Sequence, residues 1–172
     1  PVTIIRPSAV YGPRDKDIFP FFKSVAKHNI FPVLNTGRES RVQILFVRDL
    51  AEICAIMAER EKLQNEVYFI SENRFYSWPE IGRALAKAAG IEKVRMIRIP
   101  SFLVKSLASL SETTMKIINK PAAFNLDKAS EFRQPFWISD ASASEKEFGF
   151  HYTSLESGAQ ITYNWYKENN WL

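Results

Sequence analysis

Residues 2–13 read VTIIRPSAVYGP, and this stretch indicates a parallel sheet. The run VTIIR is rich in β-branched residues and ends at Pro7, which is typical of a buried strand in a parallel sheet. Ligands of open parallel sheets bind beyond the carboxyl ends of the strands, so the loop that follows is a candidate ligand site. Taken alone, however, Gly12 and Pro13 favour the simpler interpretation of an ordinary turn.

Strands and helices alternate downstream of this loop, and the alternation predicts an α/β fold. A helix is predicted from about Arg48 to Glu59 and leads directly into the strand sequence EVYFIS. Its apolar stripe consists of Leu50, Ile53, Cys54 and Met57. A strand, a crossover and a second strand form a βαβ unit, so residues 3–6 and 67–70 are predicted to pair in parallel.

Two helices carry a capping box, in which the N-cap side chain and the side chain three residues later satisfy each other's backbone amides. Ser77 and Glu80 form the first box, and Gly90 is the expected residue just past that helix. Thr153 and Glu156 are predicted to form the second box, at the start of the last helix. The residues that this helix is expected to bury are Leu155, Ala159, Tyr163 and Tyr166.

The remaining elements follow from shorter patterns. Strands are predicted in FPVLNTG, VQILFV, KVRMIRIP and FWISD, and helices in DIFPFFKSVAKHN, over residues 101–119 and in NLDKASEF. Asp140 is the expected cap of one more helix, which Gly149 closes. No internal repeat, linker or low-complexity segment divides the chain, so residues 1–172 are predicted to form a single unit.

Composition excludes several classes of function. The chain has 172 residues, is 46% hydrophobic and carries a formal net charge of +4, but its basic residues are scattered, so nucleic-acid binding is not expected. No apolar run approaches the roughly 20 residues of a membrane span, and a soluble, cytoplasmic protein is expected. His28 and His151 have no metal-ligating neighbour at ligand spacing, so no metal site is predicted. The single cysteine, Cys54, is predicted to be a packed core thiol.

Complete catalytic signatures are missing from the sequence. The six glycines never fall in the G-x-G-x-x-G or P-loop spacing that cradles phosphates, and no G-x-S-x-G nucleophile motif is present. Asp49 and Glu52 lie at the start of a predicted helix, where capping and dipole stabilisation explain a carboxylate better than acid–base chemistry does. The residues of this chain alone therefore do not predict a complete enzyme.

Four stretches, in this order, match a known pattern: VTIIRPSAVYGPRD, ILFVRDLAEICAIMAE, VYFISENRFYSWPEIGRALAKAAG and DASASEKEFGFHYTSLESGAQITYNWYKENNWL. Together they resemble the C-terminal half of the NAD-dependent epimerase/dehydratase family, the extended short-chain dehydrogenase/reductases. The resemblance implies the last two parallel strands of a Rossmann-type sheet plus a small mixed α/β substrate-binding lobe. It also implies that a separate N-terminal dinucleotide-binding portion is absent from residues 1–172.

The family's glycine fingerprint and catalytic Tyr-x-x-x-Lys would then precede Pro1, so no catalytic residue is expected within the chain. The resemblance implies NAD or NADP in the intact enzyme, with no tight binding by this part alone. The implied partners are a small-molecule substrate and the missing N-terminal half, and a homo-oligomer is possible.

The resemblance also implies roles for individual residues. Backbone groups of the segment after the first strand would pass the nicotinamide carboxamide, and these residues are Pro7, Ser8, Ala9 and Val10. The residues that would border the substrate are Tyr11, Gly12, Ile18, Phe22 and Arg41.

The implied substrate is a nucleotide sugar or a related small carbonyl or alcohol compound. Ala9 stands where many nucleotide-sugar enzymes of the family carry an Asn, and Arg41 is shifted by about one residue from the family's arginine, so an apolar dihydroflavonol- or hydroxysteroid-like substrate is the alternative. A free-standing binding or assembly module is an alternative of another class. Against the module, the first strand would keep an unpaired edge, which invites aggregation.

Overall fold

The computed structural model describes residues 2–35, 40–60, 66–100, 134 and 136–172. Its helices are α1 (Phe19–His28), α2 (Val47–Ala58), α3 (Trp78–Ala88), α4 (Ser142–Phe148) and α5 (Leu155–Glu168). Its strands are β1 (Ile4–Pro7), β2 (Ala9–Tyr11), β3 (Ile30–Asn35), β4 (Arg41–Val42), β5 (Ile44–Phe46), β6 (Val67–Ile70), β7 (Arg95–Pro100) and β8 (Phe136–Trp137). The helices predicted over residues 101–119 and in NLDKASEF lie outside the described residues.

The described strands form parallel pairs: β1 with β6, β2 with β5, β3 with β7 and β4 with β8. The predicted parallel pairing of the first strand with residues 67–70 is confirmed, with Ile4 opposite Val67. The Ser8 amide donates to the Ile70 carbonyl at 3.0 Å, and the chain then leaves β6 and pairs with β5. The stretch that follows the first strand is therefore held by two neighbouring strands.

The β1–β6 pair is buried on one face only. Tyr68 and Ile70 of β6 pack into a small core with Ile53 and Met57 of α2. On the opposite face, the exposed side chains include Ile4 (44% exposed), Val67 (44%) and Phe69 (39%). The sequence predicts a buried first strand, whereas the described residues cover the β1–β6 pair on one face only.

Helix α2 directs Ile53 and Met57 to the core, four residues apart on one face. Cys54 is one position further round the helix, about 100° away, and it is exposed. The prediction of a packed core thiol is therefore wrong. Asp49 in the first turn is buried, at 4% exposure, which the sequence did not predict.

Helix α3 begins with the predicted capping box. The Ser77 hydroxyl accepts from the Glu80 amide at 3.4 Å, and the Glu80 carboxylate accepts from the Ser77 amide at 2.7 Å. Hydrogen bonds from Ser77 lower the pKa of Glu80. The expected Gly90 follows the helix with φ at +74°, a conformation that costs glycine little.

Replacing Ser77 with alanine removes the N-cap acceptor, and we expect the free energy of unfolding to fall by about 1 kcal/mol. Urea denaturation of the wild-type and variant proteins measures the difference. Ser77→Thr keeps a hydroxyl at the same position and is the matched control, with a smaller loss. Equal losses for the two variants would contradict a capping role for the hydroxyl.

The start of α5 differs from its prediction. Ser154, not Thr153, is the N-cap, and its hydroxyl accepts from the Ser157 amide at 3.3 Å. The Thr153 hydroxyl instead donates to Asp49 at 2.7 Å. The local pattern assigned the Thr153 hydroxyl to a capping box. In the structure this hydroxyl is bound instead by a carboxylate of α2, a helix that is distant in sequence.

Two smaller predictions near the C-terminus are partly met. Ala141 is the N-cap residue of α4, but Asp140 does accept a hydrogen bond from the Ser142 amide at 3.0 Å, and Gly149 closes the helix with φ at +55°. In α5, Tyr163 is only half-buried. The residues that α5 does bury are Leu155, Gly158, Ala159, Thr162 and Tyr166.

The main hydrophobic core lies where α1, α3 and α5 meet the strands β2 to β5. Its largest fully buried side chains are Phe22, Phe31, Tyr76 and Tyr166. None of the described helices is long and apolar enough to cross a membrane.

Candidate substrate and cofactor site

A cavity of about 120 Å³ lies beside β2, which belongs to the stretch VTIIRPSAVYGP of residues 2–13. Several elements that are distant in sequence form its walls. The lining residues include Ala9, Val10 and Tyr11 from β2, Ile18 and Phe21 at α1, Phe31 from β3, Trp78, Ile81 and Leu85 from α3, and Trp137 from β8. The cavity therefore forms only when the strands and helices of the main core are assembled.

Two of the four residues expected at the cofactor line this cavity. Ala9 and Val10 line it, whereas Pro7 is exposed at the end of β1. The Ser8 hydroxyl oxygen is buried and has no hydrogen-bond partner among the described residues. A buried hydroxyl without a partner is costly, and a ligand amide or carbonyl would satisfy it.

Tyr11 is buried at 4% exposure, and its ring lies 5.6 Å from that of Phe46. Its hydroxyl donates to the Leu155 carbonyl at 3.5 Å, which connects β2 to the start of α5. Burial raises the pKa of Tyr11 far above its usual value, and the nearby Tyr76 raises it further. Tyr11 therefore stays protonated and acts as an anchor for the cavity wall.

Gly12 has no space for a side chain. A Cβ atom there would overlap the Val47 side chain and would lie 3.4 Å from the Phe46 ring. The loop then turns into α1, and the Asp15 carboxylate accepts from the Asp17 amide at 2.7 Å. Gly12 is thus required by the close approach of β2 to the start of α2.

Of the remaining residues that were expected at the substrate, one lines the cavity and two do not. Ile18 lines the cavity, but Phe22 lies in the core with its ring 5.3 Å from Tyr166. The neighbouring Phe21 takes the position at the cavity. Arg41 is half-buried in β4, and it does not line the cavity, although the next residue, Val42, does.

A row of aromatic side chains along the cavity was not predicted from the sequence. The Phe21 ring lies 5.6 Å from Phe31 and stacks on Trp78 with an interplanar angle of 17°. On α3, Trp78, Ile81 and Leu85 recur at helical spacing and face the cavity. That spacing was visible in the sequence, but it is also what any core-facing helix shows.

The cavity is almost entirely apolar. Among its described lining residues there is no Lys, Arg or His, and the only charged side chains are Asp15 and Asp17. The described part of the chain also contains no group of His, Cys, Asp or Glu residues that could hold a metal ion. The described walls are suited to an apolar ligand and include no cationic side chain that could pair with a phosphate.

The sequence pattern of the 3-beta hydroxysteroid dehydrogenase/isomerase family matches residues 2–101, which include β1 to β7 and most of the cavity wall. The chain belongs to that family. Membership confirms the resemblance to NAD-dependent epimerases and dehydratases of the extended short-chain dehydrogenase/reductase type.

A curated relative of this family member is a ceramide reductase from Caulobacter vibrioides. The two sequences are 31% identical over 173 residues, a region that covers 98% of this chain and 52% of the relative. The chain thus spans about half the length of the curated relative that it matches.

Solved structures with the same fold include dTDP-glucose 4,6-dehydratase from Bacillus anthracis in complex with NAD, with a TM-score of 0.67 and 18% identity. That match covers 99% of this chain and 46% of the dehydratase. UDP-glucose 4-epimerase from Thermotoga maritima with UDP-glucose has a TM-score of 0.65 and 18% identity, over 98% of this chain and 46% of the epimerase. At this identity the likeness concerns the fold alone, and it confirms the predicted α/β, Rossmann-type class.

Proposed function

We propose that the chain is the substrate-binding part of an NAD(P)-dependent oxidoreductase that acts on an apolar carbonyl or alcohol compound. The observation that carries this proposal is the apolar cavity beside β2, whose described lining includes no basic side chain. Membership of the hydroxysteroid dehydrogenase family and the similarity to a ceramide reductase both support a substrate with a large apolar part.

A nucleotide-sugar substrate fits the site less well. Its diphosphate would need cationic or amide donors, since buried phosphate oxygens are normally paired with Arg, Lys or backbone N–H groups. Ala9 provides no side-chain amide, and Arg41 does not line the cavity. The aromatic walls would instead contact a hydrocarbon body.

The cofactor would lie at the edge formed by residues 7–10. The buried Ser8 hydroxyl fits this assignment, because it has no partner among the described residues and could pair with the carboxamide. When bound, the cofactor supplies or accepts the hydride that interconverts carbonyl and alcohol. The residues at the edge would orient the reacting groups, while the apolar walls exclude water from them.

The proton that is added to the carbonyl oxygen during reduction would come from a residue outside the described cavity wall. Tyr11 is a poor donor because burial raises its pKa and its hydroxyl is bound to the Leu155 carbonyl. An efficient general acid has a pKa near the working pH. We therefore assign the acid–base step to the Tyr-x-x-x-Lys pair expected in the remainder of the enzyme.

The exposed face of the β1–β6 pair is where that remainder would pack. Ile4, Val67 and Phe69 are exposed there, and the Arg6 guanidinium lies 5.6 Å from the Phe69 ring centroid. Parallel sheets are normally covered on both faces. The half-covered pair thus favours part of a larger enzyme over a free-standing module.

Turnover assays of the intact enzyme test this proposal. We expect NADH or NADPH to be oxidised with an apolar ketone and about 100-fold less efficiently, in kcat/KM, with a keto-form nucleotide sugar, because the latter leaves its phosphates unpaired. A preference for the nucleotide sugar would overturn the substrate assignment.

Trp78→Ala removes one wall of the cavity, and we expect it to raise KM for the apolar ketone about 10-fold. The matched control is Trp165→Ala, because Trp165 is also half-buried but packs on Tyr166 and Trp171 rather than at the cavity. Equal changes in KM for the two variants would contradict a substrate role for the cavity.

A further inference from the structure

Phe31 is the most deeply buried of the aromatic residues that line the cavity. Trp78 and Phe21 are half-buried, whereas Phe31 has no exposed surface at all. The stacked pair of Phe21 and Trp78 leads inward to the Phe31 ring, which lies 5.6 Å from Phe21. The row of rings therefore runs from two half-buried side chains to the fully buried Phe31 ring.

Gly82 of α3 leaves the space that the Phe31 ring occupies, although Gly82 does not line the cavity itself. A Cβ atom at Gly82 would lie 2.7 Å from Cγ and Cδ1 of Phe31 and 2.9 Å from the terminal methyl of Met96. Real Cβ atoms do not approach other carbons so closely. The Phe31 ring thus occupies space that only a glycine leaves open.

The position of Phe31 is also fixed from the strand side. Phe31 pairs with Met96 in the β3–β7 ladder, so its backbone cannot shift without disturbing that pairing. The Ser24 hydroxyl donates to the Ile30 carbonyl at 2.9 Å, which holds the start of β3 to α1. The side chain, and not the strand, is then the part that responds to a change at Gly82.

We propose that Phe31, set back against Gly82, limits the length of the apolar substrate body that the enzyme accepts. This inference rests on the proposed function, since it assigns specificity within the same cavity. Shortening the side chain at position 31 extends the cavity inward. Adding a methyl at position 82 pushes the ring into the cavity and shortens it.

The test uses the intact enzyme with NADH or NADPH and a series of straight-chain 2-alkanones of increasing length. Phe31→Leu is expected to raise kcat/KM for ketones beyond the wild-type optimum by about 10-fold for each further methylene that the cavity admits. Gly82→Ala is expected to move the optimum to shorter ketones. Phe31→Met also reduces the side chain's bulk, and because methionine is flexible and fills irregular gaps it serves if Phe31→Leu does not fold.

Phe22→Leu is the matched control, because Phe22 is another buried phenylalanine that does not line the cavity. Its length optimum should equal that of the wild type, even if its stability falls. An optimum that stays unchanged in the Phe31 and Gly82 variants, or that moves equally in Phe22→Leu, would overturn the inference and leave the proposed function intact. A wild-type enzyme that reduces none of the ketones would overturn both.

Discussion

Asp49→Ala is expected to lower the free energy of unfolding by about 3 kcal/mol, because it strips two hydrogen bonds from a buried junction. The Asp49 carboxylate accepts from the amide and the hydroxyl of Thr153, both at 2.7 Å. These two hydrogen bonds join the first turn of α2 to Thr153, the residue just before the N-cap of α5. Without the Asp49 carboxylate, the partly buried Thr153 amide has lost its acceptor.

Glu52→Ala is the control for Asp49→Ala, since Glu52 is an exposed carboxylate in the same helix. Its effect on unfolding should stay within about 0.5 kcal/mol. Urea denaturation of the intact protein measures both. Similar losses for the two variants would show that helix charge, and not the contact with Thr153, is what matters.

Gly158→Ala is expected to destabilise the protein by about 2 kcal/mol, although alanine is the better helix former. A Cβ atom at Gly158 would lie 3.0 Å from Cζ of Tyr11 and closer still to its hydroxyl. The added methyl would push Tyr11, and with it β2, away from α5. Because Ala9 and Val10 belong to the same strand, we also expect a lower kcat in the intact enzyme.

A double-mutant cycle with Tyr11→Phe separates this clash from other effects of the new methyl. Removing the hydroxyl relieves the closest contact, so the double variant should recover part of the stability that Gly158→Ala loses. Thermal unfolding and turnover should recover together. Strictly additive losses would contradict the contact as the cause.

The sequence predicted correctly those features that depend on contacts between residues within one helical turn. Ser77 and Glu80 lie three residues apart and satisfy each other within one turn, so their capping box could be read directly. Thr153 shows the same local pattern, but Asp49, which is 104 residues away, takes its hydroxyl. A pattern within one turn cannot reveal such a competitor.

The site was predictable at its edge but not in its walls. The stretch after the first strand could be placed because the carboxyl end of a parallel strand is a recurrent ligand position. Phe22 was expected at the substrate, whereas Phe21 is at the cavity, because one residue changes direction on a helix by about 100°. Phe31 and Trp137 could not be found, since assembly of distant strands brings them together.

A crystal structure of the intact enzyme with its nicotinamide cofactor and an apolar ketone would locate the proposed substrate and cofactor sites. We predict the hydrocarbon body in the cavity beside β2, in contact with Phe21 and Trp78, and the nicotinamide carboxamide beside the backbone of residues 7–10. The carbonyl carbon should then lie about 3.5 Å from the hydride-bearing carbon of the cofactor. A ketone bound elsewhere, with this cavity empty, would show that the cavity is not the substrate site.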